Sequence, residues 1–244
     1  MLEETVTIAT ADGPMEAFVA APGAAGRAAA LVVLQEAFGV NEHIREVCRR
    51  FAAEGFVALA PELYHRAGRG ITVPYEDRTA IFEHLAGLTN AGLESDLRAA
   101  FGHLAARADT DPRRTGLVGF CAGGFAAFLG ACRLPHRATV SFYGGGIVRA
   151  RPQLRLEPVL GQSGSISAPI LCLFGAEDAG IPPEDVGAIR QALDRLGVPH
   201  EVVVYPGAGH GFFNDLRASY RAEAAGDAWR RTLGWLGAHL GGAA

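Results

Sequence analysis

Short, almost continuously apolar runs alternate with segments of helical period along most of this chain. The runs are Leu31–Leu34, Phe56–Ala60, Thr115–Val118, Thr139–Phe142, Ile170–Phe174 and Val202–Tyr205. Runs of this length, apolar on both sides, predict strands buried on both faces of a parallel sheet. Ahead of them, Thr5–Ile8 and Met15–Ala20 alternate around Asp12-Gly13, which predicts a β-hairpin, and the Ala/Gly-rich residues 21–29 predict a loop. Between the runs, residues 42–53 place Ile44, Val47, Cys48 and Phe51 on one helical face behind a candidate N-cap, Asn41. Amphipathic segments at 76–88 and 93–107, and helices at 123–132, 184–196 and 219–239, complete the pattern. Strand–helix alternation of this kind predicts an α/β fold, with a mainly parallel central sheet and helices on both faces. In such sheets ligands sit beyond the carboxyl ends of the strands, so functional residues are sought just after each apolar run.

Composition narrows the classes. The 244 residues are 49% hydrophobic, enough to bury one core, so a single domain spanning 1–244 is expected. The net charge of −4 is spread without a basic stripe, which argues against nucleic acid. No apolar run approaches the ~18 residues of a membrane span, and no membrane partner is expected. Met1–Thr10 is polar and has no basic stretch leading into an apolar one, so no secretory signal is read there and the cytoplasm is the expected location. All 22 basic residues are arginine. Without lysine, Schiff-base chemistry and a phosphate-binding P-loop are both excluded. Cys48, Cys121, Cys132 and Cys172 match no metal-ligand spacing, and no metal or other cofactor is expected.

The chemistry concentrates after three runs. Gly119-Phe120-Cys121-Ala122-Gly123-Gly124 follows a predicted strand and opens a predicted helix. It has the form of a nucleophile elbow, G-x-S-x-G, with cysteine in place of serine. Glycines two positions either side relieve collisions in so tight a turn, and the helix N-terminus favours a thiolate. The bland alternative is a Gly-rich junction holding a buried cysteine. Gly161-Gln162-Ser163-Gly164-Ser165, the nearby serine candidate, lacks the second glycine at the right spacing. Further on, Gly175-Ala176-Glu177-Asp178 and Gly207-Ala208-Gly209-His210-Gly211 each follow a predicted strand. Nucleophile, acid, histidine is the triad order of α/β-hydrolases, with Asp178 orienting His210 and His210 taking the thiol proton. Glu177 is the alternative acid. Glu36, at the end of the Leu31–Leu34 run, is a carboxylate that needs a partner or a function, and a salt bridge to Arg45 is the simplest partner.

With these pieces in order, the chain resembles the dienelactone hydrolase (carboxymethylenebutenolidase) family of the α/β-hydrolase fold. The likeness rests on Gln35-Glu36-Ala37-Phe38-Gly39-Val40-Asn41, Pro61-Glu62-Leu63-Tyr64, the cysteine elbow, the late acid and Ala208-Gly209-His210-Gly211-Phe212, and it covers nearly the whole chain. It implies that Cys121 attacks a lactone or ester carbonyl to form an acyl-enzyme, with the oxyanion held by the N–H groups of Ala37 and Ala122. It also implies that the resting thiol is hydrogen-bonded to Glu36 until substrate arrives, which would guard it from oxidation. The family's carboxylate-binding arginine followed by an aromatic four residues later maps onto Arg78 and Phe82, without the tyrosine hydroxyl of well-known members. Phe38 and Tyr143 complete the expected substrate-binding set. The second family arginine falls on Asn214, and Arg217 lies three residues further on. An amide does not replace a charge-assisted bidentate pair, which puts dienelactone itself in question as the substrate. His65 and Arg66 are either pocket residues or solvated loop charges.

The leading expectation is therefore a cysteine-dependent hydrolase of a small ester or lactone, anionic or neutral, acting as a monomer or small homo-oligomer. A general short-chain carboxylesterase or thioesterase is the runner-up. A non-catalytic ligand receptor and a redox sensor built on Cys121 are the alternatives from other classes. The redox alternative needs a resolving thiol, and Cys132 is about 16 Å away along the same helix.

Overall fold

The protein is described by a computed structural model covering residues 1–23 and 26–241. Eight strands form one sheet. The first two, β1 (Leu2–Thr10) and β2 (Gly13–Ala21), make the predicted hairpin around Asp12-Gly13, and Thr10 Oγ1 donates to Gly13 O across the turn at 2.7 Å. Next come β3 (Ala28–Leu34), β4 (Val57–Pro61), β5 (Thr110–Phe120), β6 (Ala138–Phe142), β7 (Ile170–Gly175) and β8 (His200–Tyr205). Their order across the sheet is β1-β2-β4-β3-β5-β6-β7-β8. β2 pairs antiparallel with β1 and with β4, and every pair from β4-β3 to β7-β8 is parallel. Of the loop expected at 21–29, Ala24 and Ala25 lie outside the described residues.

Burial follows the apolar runs. β4, β6 and β7 are buried at every position, whereas β1, at the outer edge, is mostly exposed. Helix α1 (Glu42–Ala53) starts at the predicted cap, with Asn41 Oδ1 accepting from Ile44 N at 3.2 Å. It shares one face of the sheet with α6 (Ala222–Leu240), where Phe51 lies 4.7 Å from the Trp229 ring. On the opposite face α3 (Asn90–Ala106) packs against α4 (Ala122–Arg133), which is buried continuously from Gly123 to Cys132. Helix α5 (Pro183–Leu196) covers β8 and ends on Gly197, whose φ of 67° suits glycine. No helix among the described residues is long and apolar enough to cross a membrane.

Three departures from the sequence pattern have local causes. β5 begins at Thr110 rather than 115, because Thr110 pairs with Ala28 ahead of a register shift that the polar Asp111-Pro112-Arg113-Arg114 stretch conceals. Helix α2 (Arg78–Gly87) buries only Leu85 completely, so the amphipathic character expected over 76–88 does not become a packed face. Helix α6 begins at 222, not 219, because the preceding residues run through turns that tie Arg221 N to Phe212 O at 3.0 Å.

Candidate active site

The parallel strands deliver their carboxyl ends to one edge of the sheet. β3 ends at Gln35-Glu36-Ala37, β5 at Cys121, β6 at Tyr143, and β7 and β8 open the loops carrying Asp178 and His210. Cys121 sits between β5 and α4 at φ 56°, ψ −112°. A non-glycine residue held at positive φ costs about 1–3 kcal/mol, so surrounding contacts must enforce it. They do so from both neighbouring strands. Cys121 N donates to Phe142 O on β6 at 3.0 Å, and Gly123 N donates to Gln35 O beyond β3 at 3.0 Å. The flanking glycines leave no room for a side chain. A Cβ on Gly119 would strike the Gly123 carbonyl, and one on Gly123 would meet Leu34 O and lie 2.6 Å from Gln35 O.

The imidazole of His210 stands over the sulfur, with Nε2 3.1 Å from Cys121 Sγ. Its Nδ1 is 2.6 Å from Asp178 Oδ2, and the other oxygen of Asp178 accepts from Gly180 N at 2.8 Å. Asp178 is buried and Glu177 is exposed, so Asp178 is the acid that faces the histidine. Burial alone would push the Cys121 thiol up. The adjacent His210 charge and hydrogen bond outweigh that effect, Glu36 opposes them, Arg151 assists, and the thiol ends below its ordinary value. Burial pulls His210 down, but the Cys121 and Asp178 contacts prevail and hold it above the ordinary histidine range. The contact thus lowers the thiol and raises the imidazole together. Cys48, Cys132 and Cys172 are buried free thiols, and burial pushes each of them up, Cys132 and Cys172 to about 12.

On the β3 side, the N–H groups of Ala37 and Ala122 have no acceptor among the described residues. Tyr64 Oη donates to Ala37 O at 3.0 Å, and Gln35 Oε1 accepts from Leu63 N at 3.1 Å, so the Pro61–Tyr64 loop fixes this turn. Here the thiol bonds His210 and not Glu36, which differs from the guarded arrangement expected. Glu36 is instead engaged from the loop after His210, by Asn214 Nδ2 at 2.5 Å and by Arg217 Nη1 at 3.5 Å. Arg45, offered as its simplest partner, donates to Val40 O instead. Asn214 also reaches Tyr75 Oη at 3.3 Å, and Tyr75 stands edge-on to Phe38, 4.5 Å between ring centres. Arg217 lies over the Phe38 ring at 5.2 Å. The cation thought missing at Asn214 thus arrives three residues later, and Asn214 itself becomes a donor to Glu36. Tyr143 is the second strained residue, at φ 37°, fully buried, with its ring 5.2 Å from that of His210.

The remaining expected residues have the following surroundings. Arg78 and Phe82 are exposed on α2, Phe82 at 43%, and Arg78 has no ion pair among the described residues. His65 and Arg66 both engage a single carboxylate. His65 Nε2 lies 3.1 Å, and both Arg66 terminal nitrogens 2.8 Å, from the carboxylate of the wholly buried Asp96 on α3. No group of three or more His, Cys, Asp or Glu side chains among the described residues could hold a metal.

The profile of the dienelactone hydrolase family matches residues 15–240. The chain belongs to the dienelactone hydrolase family. Among its relatives, a protein of Synechocystis sp. provisionally named a carboxymethylenebutenolidase is 41% identical over 228 residues, 93% of this chain and 92% of its own. One of Salmonella typhimurium under the same name is 39% identical, over 93% of this chain and 84% of its own. A crystal structure from Klebsiella pneumoniae, provisionally named a dienelactone hydrolase, superposes with a TM-score of 0.88 at 38% identity, covering 96% of this chain and 98% of its own. A dienelactone hydrolase-like promiscuous phosphotriesterase from metagenomic libraries matches at 25% identity and a TM-score of 0.82, over 98% of this chain and 99% of its own. The fold of this dienelactone hydrolase family member is the α/β-hydrolase fold. The candidate site lies where the family's motifs meet in space, and Tyr75 and Arg151 are neighbours of it that the sequence pattern did not single out.

Proposed function

We propose that this protein hydrolyses a small ester or lactone through Cys121, His210 and Asp178, by way of an acyl-enzyme. The observation that carries the reading is the His210 imidazole, 3.1 Å from the Cys121 sulfur on one nitrogen and 2.6 Å from Asp178 on the other. In the proposed cycle the thiolate adds to the carbonyl carbon, and the oxygen's charge is taken up by the N–H groups of Ala37 and Ala122. Collapse breaks the C–O bond, and the leaving oxygen takes the proton from His210 Nε2. The same nitrogen then removes a proton from water, whose hydroxide attacks the thioester. The second collapse expels the Cys121 thiolate and frees the carboxylic acid, leaving His210 protonated as at the start. Asp178 holds the imidazole in the required orientation throughout. Residues 1–244 act as one catalytic domain, which needs no metal for these steps. The four free thiols suit a reducing cytoplasm.

The test is hydrolysis of an aryl ester and of an unsaturated γ-lactone by wild type and by Cys121→Ala. The reading expects a loss of at least about 10³-fold in kcat on both, with a thioester at Cys121 trapped by acid quench and seen as a mass increase. Undiminished turnover in the variant overturns it.

A further inference from the structure

We propose that Arg151 forms an anion subsite beside the Cys121 thiol, on the side facing the β6 and β7 loops, and that it selects substrates carrying a carboxylate. The inference rests on the hydrolase reading above and adds a specificity residue to it.

Arg151 belongs to the long connection between β6 and β7, yet its side chain turns back toward the site. Nη2 donates to Gly180 O at 3.1 Å, in the loop that carries Asp178. The guanidinium lies against two glycines. A Cβ on Gly145, two residues beyond Tyr143, would collide with it, its carbon being 2.8 Å away. A Cβ on Gly180 would lie 3.3 Å from Nη2 and 3.3 Å from Asp178 Oδ1 alike, so the guanidinium sits beside the acid of the triad without pairing with it. Both glycines follow carboxyl ends of neighbouring strands, on the edge of the sheet that carries Cys121.

Several arginines of this chain lack a carboxylate partner, and Arg151 is one whose guanidinium lies beside the loop that carries Asp178. A guanidinium carries five N–H donors. Of these, Arg151 uses one, on a backbone oxygen, and no carboxylate among the described residues lies within ion-pair distance. Arg149, two residues earlier, is paired with Asp185 at 2.5 Å. Arg217, the cation on the β3 side, is already engaged with Glu36. An incoming carboxylate must therefore compete with Glu36 for Arg217, whereas Arg151 can accept it without breaking a protein ion pair. In keeping with that placement, the Arg151 charge is the smallest of the influences acting on the Cys121 thiol, and it lowers it.

The test compares two alkylating reagents of similar size and opposite charge class, iodoacetate and iodoacetamide, on native protein. Cys48, Cys132 and Cys172 are buried, so alkylation reads Cys121. The ratio of the iodoacetate rate to the iodoacetamide rate cancels any change in thiolate fraction and isolates recognition of the carboxylate. In Arg151→Gln the ratio is expected to fall about tenfold, the size of one charge-assisted contact. Arg151→Lys, which keeps the charge but not the fork, is expected to fall between, and it decides the matter should the Gln variant not fold. An unchanged ratio, or an equal fall for both reagents, overturns the proposal. The second arm is kcat/KM on a p-nitrophenyl hemiester of a dicarboxylic acid relative to p-nitrophenyl acetate. That preference should drop in Arg151→Gln through KM. Alkylation needs no turnover, so it still decides the role of Arg151 if wild type hydrolyses neither ester, an outcome that would sink the hydrolase reading alone.

Discussion

Asn214 donates its side-chain amide to Glu36 Oε2 at 2.5 Å, across 178 positions of sequence, with both residues essentially removed from solvent. An amide at this point gives one oxygen of a buried carboxylate a donor without adding charge, while the other oxygen, with no hydrogen-bond partner among the described residues, faces Arg217 at 3.5 Å. Glu36 is thereby drawn toward the loop after His210 and away from the sulfur.

The first prediction tests that contact. Asn214→Ala leaves a buried carboxylate short of a donor, which costs about 1–3 kcal/mol. In a chain of this size the melting temperature should drop by about 3–10 °C. Asn214→Asp sets a second carboxylate against Glu36, and like charges at that distance raise the pKa of the pair. The folded state then binds more protons than the unfolded chain over the interval between the two pKa values, so stability falls as pH rises through it. Melting curves of Asn214→Asp from pH 5 to pH 8 should therefore decline toward pH 8. A flat profile would mean that Asn214 and Glu36 are not in contact.

The second prediction concerns the thiol. His210 is the largest influence lowering it, and burial and Glu36 both raise it. In His210→Ala only the raising influences and the weaker Arg151 field remain. The pH midpoint for alkylation by iodoacetamide should then move from below the ordinary thiol value of about 8.5 to above it. Glu36→Gln removes one raising influence and should move the midpoint the other way. Native wild-type protein should present one fast thiol, because burial holds the remaining three protonated. Equal midpoints in wild type and His210→Ala would refute the ion pair.

Much of this site was legible in the sequence because its features are local. The elbow glycines sit two residues from Cys121, and steric exclusion at Gly119 and Gly123 acts within a single turn. Asp178 and His210 each follow an apolar run by a few residues, and a parallel sheet gathers all such ends on one edge. Asp178 was preferred over Glu177 from the sequence, but only packing, which buries the one and exposes the other, separates two adjacent carboxylates. The partners of Glu36 were hidden for a related reason. Asn214 and Arg217 reach it through turns after His210, where no period relates side chains to direction. Arg151 lies in the long connection between β6 and β7, ahead of its one short 3-10 turn, and what marks it out, a guanidinium against Gly145 and Gly180, exists only in three dimensions. Arg78 and Phe82 keep the expected spacing on α2, which buries only Leu85, and both stand exposed.

The last prediction separates scaffold from site at Arg66. Its guanidinium makes two contacts of 2.8 Å with Asp96, whose carboxylate is wholly buried and shared with His65. Removing one partner of a buried pair leaves an uncompensated charge, at a cost of about 3 kcal/mol or more. Arg66→Ala should therefore lower the melting temperature by about 6–12 °C. Asp96 lies on α3 and Arg66 in the loop after Tyr64, so the pair ties that loop to the helix rather than facing Cys121. Well below the melting transition, KM for an anionic ester should match that of wild type to within about twofold, as expected of a side chain that only supports the fold. A raised KM with little change in stability would instead put Arg66 in the substrate pocket, one of the two roles its sequence position left open.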